Sequence, residues 1–474
     1  HYLEIYMTLI HCLFLFIIFI LFPVISFAHV SERALILLLP TEFYIPAGIS
    51  VLILTILIAY LTPVSFITSL FKSHELKINF NKYISINQLE NLKIFTSCVS
   101  FLFLIILIIF GFIGSRDPLA NPLSLFIWSV WFMVMPVIQI LLGNAWAFLN
   151  PWYGIGKLFF KDKKVYKLNS NYSLIFSSAG FLLFSMFMLV DIAPDDPDRL
   201  ANIVTLYFLI NLLFVKIFGV NWLEKGECFT AFYGLLSKLS WIWIMEGKIH
   251  IGFFGSQLKK IKTFPSLSVL FLSIILATLS FDGLNETFLW FKVIDVNPLE
   301  FHGRSSVIIE NSLGLIIFAV MLFFIFSITI FLGHKFINER VSFKEIIGIN
   351  SIALLPIALA YHIAHYLTSF LVNIQYSYKV ASDPLNNGKD FFNIGDFNVT
   401  TSFFNTIETV KLIWFIQASA IVIGHVIAVL LAHSICEGYL KKKSSILISQ
   451  FPISIFMIGY TFLGLWILST PTVG

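Results

Sequence analysis

The chain has 474 residues, 58% of them hydrophobic and 17% aromatic, whereas Asp, Glu, Lys and Arg together supply 12%. A soluble domain carries about 25% charged residues, so a chain with 53 Phe and a mean hydropathy of +0.91 lacks the polar surface to clothe a water-soluble core. A formal net charge of +4 gives no basic face for a phosphate backbone, which argues against nucleic acid and leaves the lipid bilayer, with a small molecule or metal ion, as the expected partners.

Residues Met7 to Ala28 carry no charge and end in Ser26-Phe27-Ala28, small residues at the spacing of a signal-peptidase site. The expectation is a signal peptide or N-terminal anchor over 1–28, followed by one integral membrane domain over 29–474. Its n-region has no Lys or Arg, which keeps an uncleaved first helix open. Either way His29 is exported. Cys12 lies in the leader, and Cys98, Cys228 and Cys436 fall in a helix or on the expected cytoplasmic side, so no exported disulfide is expected.

Apolar runs long enough to cross about 30 Å of hydrocarbon fall near 44–67, 95–114, 123–146, 172–190, 201–219, 266–281, 308–332, 346–370, 409–433 and 447–469. They predict an all-α, polytopic helical membrane bundle of about ten transmembrane helices. Loops on alternate sides differ in Lys and Arg by roughly threefold, which by the positive-inside rule places both mature termini on the exported side of a bacterial inner membrane. The acids of the loop at 191–198 and of the loop at 383–396 read as solvated turns, with Pro194 and Pro197 shaping the first. Neither loop has the spacing of a calcium loop.

Two expected cytoplasmic segments are more than linkers. Phe229, Phe232, Tyr233, Leu236 and Leu239 recur every three or four residues beside Lys225 and Lys238, as in a helix lying in the headgroup layer. Gly143-Asn144-Ala145-Trp146 and Gly219-Val220-Asn221-Trp222 end two inward-running spans, as a repeat of helix pairs or an aromatic belt would place them.

Histidine inside the spans is the main chemical signal, because ionisable groups in hydrocarbon need a partner or a task. His362 and His365 sit in one span, three residues apart on neighbouring faces of one turn; His425 and His433 sit in the next, eight apart. At 1.5 Å per residue, His362 and His365 lie about 12 Å and 7 Å below the outer end of their helix, and His425 about 24 Å down its own. Gln417 comes nearest to the outer pair in depth, giving an expected outward cluster of His362, His365 and Gln417. Three uses compete: hydrogen bonds between helices, a metal with copper favoured by imidazole, and haem b, which needs level axial histidines and is disfavoured by the unequal depths. The metal reading takes the exported amino group and ring of His29, completed by His302, Glu310, His362 or His365. Asp282 and Glu310 mark an outward cavity, and Lys216 and Lys411 snorkel at span ends. The sequence has no phosphate-cradling loop, nucleophile elbow, HExxH or CxxC. A secondary transporter relaying protons through the histidines is the alternative, with Pro136, Pro356 and Pro452 available to interrupt helices.

Several stretches together resemble a family of bacterial multi-pass membrane proteins labelled fenitrothion hydrolase-like. They are AHVSERALILLLPTEFYI (28–45), GNAWAFLNPWYGIGKLF (143–159), PDDPDRLANIV (194–204), WLEKGECFTAFYGLL (222–236), SFDGLNETFLW (280–290), AYHIAHYL (360–367), SDPLNNGKDFF (382–392), GHVIAVLLAH (424–433) and IGYTFLGLW (458–466). The resemblance extends along most of the chain. It implies an integral membrane protein with an exported N-terminal His, and its label implies hydrolysis of an organophosphate triester. Such a reaction wants a metal-bound hydroxide with carboxylates beside the histidines.

Overall fold

The computed structural model describes residues 39, 41–79, 85–160, 166, 170–261, 264–300, 303–337, 339 and 341–471. The leader, His29 and His302 lie outside the described residues. Eleven helices set the architecture: α1 (Thr41–Leu61), α2 (Ile86–Ile113), α3 (Pro122–Leu142), α4 (Ser170–Val190), α5 (Pro197–Phe218), α6 (Cys228–Leu236), α7 (Ser268–Leu284), α8 (Ile308–Lys335), α9 (Leu354–Ser382), α10 (Ile407–Cys436) and α11 (Lys443–Ser469). Among the described residues, nine helical stretches are long and apolar enough to cross a membrane, and the chain is an all-α multi-pass membrane protein.

The remaining predicted span, α7, has only 17 residues, about 25 Å at 1.5 Å each. Fourteen of them are buried, so this helix is sheathed by protein rather than lipid. A small antiparallel sheet in the order β1-β3-β2, with β1 at Ser73–Asn79, β2 at Ile242–Met245 and β3 at Lys248–Gly252, marks one end of the bundle. We call that end the sheet face and the opposite end the His365 face.

Local chemistry fixes the helix ends. Ser85 and Gln88 close a capping box at the start of α2, Asn121 caps α3 ahead of Pro122, and Asp196 caps α5 ahead of Pro197. Within α3 the backbone widens to a π-helix over Phe126–Val134, immediately before Pro136. Pro136 cannot donate to the Phe132 carbonyl, and its ring would crowd that oxygen, so the preceding turns open out. Pro356 acts similarly at the start of α9: the helix over Phe343–Ser351 breaks at Ile352 and Ala353 before α9 resumes.

The α9–α10 pair lies at the centre, brought close by small residues. A Cβ on Gly424 would fall 2.3 Å from the Ala360 Cβ and 2.9 Å from the Pro356 carbonyl oxygen, so only glycine permits this approach. Gly143 and Gly219, at the ends of α3 and α5, take φ of +78° and +69°. Both turns therefore share a left-handed glycine followed by a buried Trp: Trp146 donates Nε1 to Thr230 and Trp222 to Asn211.

One expectation is corrected. The α6 helix forms where its periodicity predicts, yet Phe229, Phe232, Tyr233, Leu236 and Leu239 are each at most 2% exposed, with the rings packed at tilted or edge-on angles against Trp131, Trp146 and Phe181. Its apolar face meets protein rather than headgroups, because a periodic stripe specifies an apolar neighbour without specifying its kind. Glu227 caps this helix through the backbone N–H groups of Phe229 (2.9 Å) and Thr230 (2.7 Å), and it also accepts from the Tyr207 and Thr230 hydroxyls. A carboxylate 1% exposed is tolerable only with its oxygens so fully engaged.

Candidate functional site

α9 makes four polar contacts with three different neighbours. Towards α7, His365 Nε2 lies 2.8 Å from Asp282 Oδ2, and Tyr366 donates its hydroxyl to the same oxygen at 2.8 Å. Towards α3, His362 Nε2 lies 3.3 Å from the Met133 carbonyl at the end of the π-helical stretch. From α10, Gln417 donates to the Ala364 carbonyl at 2.7 Å. The expected outward cluster of His362, His365 and Gln417 thus gathers around one stretch of α9, with each group bonded to a different partner rather than to one another.

The Asp282–His365 pair sits where α7 ends towards the His365 face, and it keeps some access: the side chains are 16% and 30% exposed. Tyr366 is also 3.7 Å from Met188 Sδ. Above the pair, Arg304 ties down the end of α4 by donating to the carbonyls of Met188 (3.1 Å) and Asp191 (3.3 Å). Its guanidinium also attracts Asp282, and Glu286 attracts His365. Beyond the helices, the Arg199 N–H, with the Arg116 guanidinium in support, holds the Asp196 carboxyl below its ordinary range.

The bonding partners decide the tautomers of the deeper rings. A carbonyl only accepts, so His362 donates from Nε2, and its buried Nδ1 keeps a lone pair with no donor among the described residues. His425 donates from Nδ1 to the Ile421 carbonyl at 2.8 Å, and its Nε2 lone pair has no donor among the described residues. The His425 ring lies 6.0 Å from Tyr361 and 6.1 Å from Tyr460. Nearer the sheet face, His433 is 1% exposed with neither ring nitrogen bonded among the described residues, and it lines a small cavity with Tyr60, Gln450 and Ser454. Imidazoles with free lone pairs therefore occur at three levels below the Asp282–His365 pair. Each is a base that can take a proton or hold a ligand.

Of the other sequence candidates, Glu310 lies in the first turn of α8, outside this cluster, while its neighbour Asn311 accepts from Trp290 at 2.8 Å. Among the described residues, no group of three or more His, Cys, Asp or Glu side chains converges as a metal site. Sequence reasoning missed Tyr366, Met133 and Arg304. Tyr366 follows His365 directly and was open to suspicion, but a backbone carbonyl such as that of Met133 carries no sequence signal. No family model, curated protein or solved structure matches this chain.

Proposed function

We propose that this membrane protein is a secondary transporter of a small solute or ion, in which the Asp282–His365 pair exchanges protons with the medium and the deeper imidazoles relay them. One observation carries the reading. Below a partly exposed carboxylate–imidazole pair, His362 and His425 each spend their N–H on a carbonyl and keep an unshared lone pair in the interior. Buried ionisable groups of this kind mark proton and ion pathways in membranes. The basic residues of the opposite loops favour placing the His365 face on the exported side of a bacterial inner membrane.

The test is electrical. Proteoliposomes on a solid-supported membrane are pulsed with pooled small cations, anions and neutral solutes at pH 6 and pH 8. At least one pool should give a pH-dependent current that disappears in Asp282→Asn. The reading is overturned by no current from any pool, or by equal currents in wild type and variant.

A metal at the same cluster is the second reading, favoured by the meeting of a carboxylate, an imidazole and, through Tyr366, the Met188 thioether. Copper suits imidazole and thioether donors, and His29 or His302 would complete the set. A hydroxide on such a metal would provide the triester hydrolysis that the family resemblance implies. Copper that co-purifies with wild type and is lost in His365→Gln supports this reading, and metal-free wild type grown with copper defeats it.

A further inference from the structure

On the sheet face, a half-open cleft of about 510 Å³ lies between α2, the turn after α3, the start of α4 and α6. That volume is within the usual range for a small-ligand site. Two lysines line it. Lys238 has no hydrogen-bond or ion-pair partner among the described residues, and burial pushes its ammonium below its ordinary range. Lys93 rests its ammonium 3.6 Å over the Tyr153 ring.

Of the two acids near them, Glu90 is already engaged. Glu90 pairs with Lys157 at 2.8 Å and accepts the Tyr153 hydroxyl at 2.6 Å. Glu224, which also attracts Lys93, is the one carboxylate among the described lining residues, so these carry a net charge of about +1. The other walls mix apolar surface from Leu223, Leu235 and Phe264 with the amide of Asn144.

The surroundings indicate what enters. Beside the lining residues of α2 and α4, Leu92, Phe95, Tyr172 and Phe176 turn outward and are 40% to 66% exposed. In a membrane helix such side chains face acyl chains. A singly charged anion fits the lysines, and a hydrocarbon tail fits the adjoining flank. We propose that this cleft is a binding site for the phosphate of an anionic phospholipid, with Lys93 and Lys238 taking the phosphate oxygens and the acyl chains lying along α2 and α4. Lysine binds phosphate as a point charge, and headgroups of this type lie at the depth where basic residues gather. This inference is independent of the transport reading.

Native mass spectrometry of the full chain in detergent, with equal phosphatidylglycerol and phosphatidylethanolamine added, tests it. Wild type should retain phosphatidylglycerol at least tenfold more than phosphatidylethanolamine. The ratio should fall to about twofold or less in Lys93→Gln/Lys238→Gln, and it should persist in Lys344→Gln/Lys441→Gln, which removes the same charge elsewhere on the sheet face. Phosphatidylglycerol with its photoactivatable group on the headgroup should crosslink wild type at Lys93 or within 223–238, a readout that does not depend on the variant folding. Equal retention of the two lipids by wild type, or crosslinks confined to other segments, would overturn the proposal. Lysine-dependent binding of glycerol 3-phosphate without any lipid preference would overturn the lipid source and assign the cleft to a soluble phosphate ester.

Discussion

Asp282 and His365 can be separated from each other energetically by a double-mutant cycle of Asp282→Asn and His365→Gln. With the heavy atoms 2.8 Å apart, the charge centres of a protonated pair stand about 4 Å apart. At an effective dielectric of about 20 their attraction is about 4 kcal/mol. Solvent reaches both side chains, and desolvation takes back part of the gain, so the expected coupling is about 2 kcal/mol with His365 charged. With His365 neutral, a hydrogen bond worth about 1 kcal/mol remains. Reversible unfolding in bicelles by steric trapping, at pH 5.5 and pH 9, measures both values. The coupling should be larger at pH 5.5, and each single variant should lose more than the coupling alone because its partner stays partly buried without its counter-group. A coupling below about 0.5 kcal/mol at both pH values would refute the ion pair, and an equal coupling at both would refute its dependence on a proton.

Glu227→Ala should be the more damaging change on the sheet face. It strands the N–H groups of Phe229 and Thr230 and the Tyr207 hydroxyl together, at a cost of about 2–4 kcal/mol by the same unfolding assay; a loss below about 1 kcal/mol would show that the cap is dispensable. At the His365 face, the Asp196 carboxyl is held low by the Arg199 N–H, the desolvation that opposes this being smaller. A depressed carboxylate stabilises the fold above its unfolded value near about 3.9 and loses that contribution as pH falls through its lower folded value. Amide exchange at Arg199 and Leu200 should therefore stay slow down to about pH 4 and accelerate below it, and Asp196→Asn should remove that acid dependence.

How much of this could be read from the sequence follows from what each signal measures. Hydropathy sums transfer free energy over a window, and that sum decides whether a segment prefers lipid. The nine long apolar helices of the described residues, the alternation of basic loops and the presence of histidine in α9 and α10 are therefore written in the chain itself. Capping residues such as Ser85, Asn121 and Asp196 are local too, since their partners lie two or three residues away.

Partner choice is different, because it depends on how helices rotate and cross. Asp282 and His365 are 83 positions apart along the sequence, and nothing in either segment names the other. Only the packing of α7 against α9, with Gly424 letting α10 close in behind, turns His365 to a carboxylate, His362 to the Met133 carbonyl and Gln417 to the backbone of α9. The same packing buries the stripe of α6 in protein and encloses the short α7, where hydropathy alone could not tell an apolar neighbour from lipid.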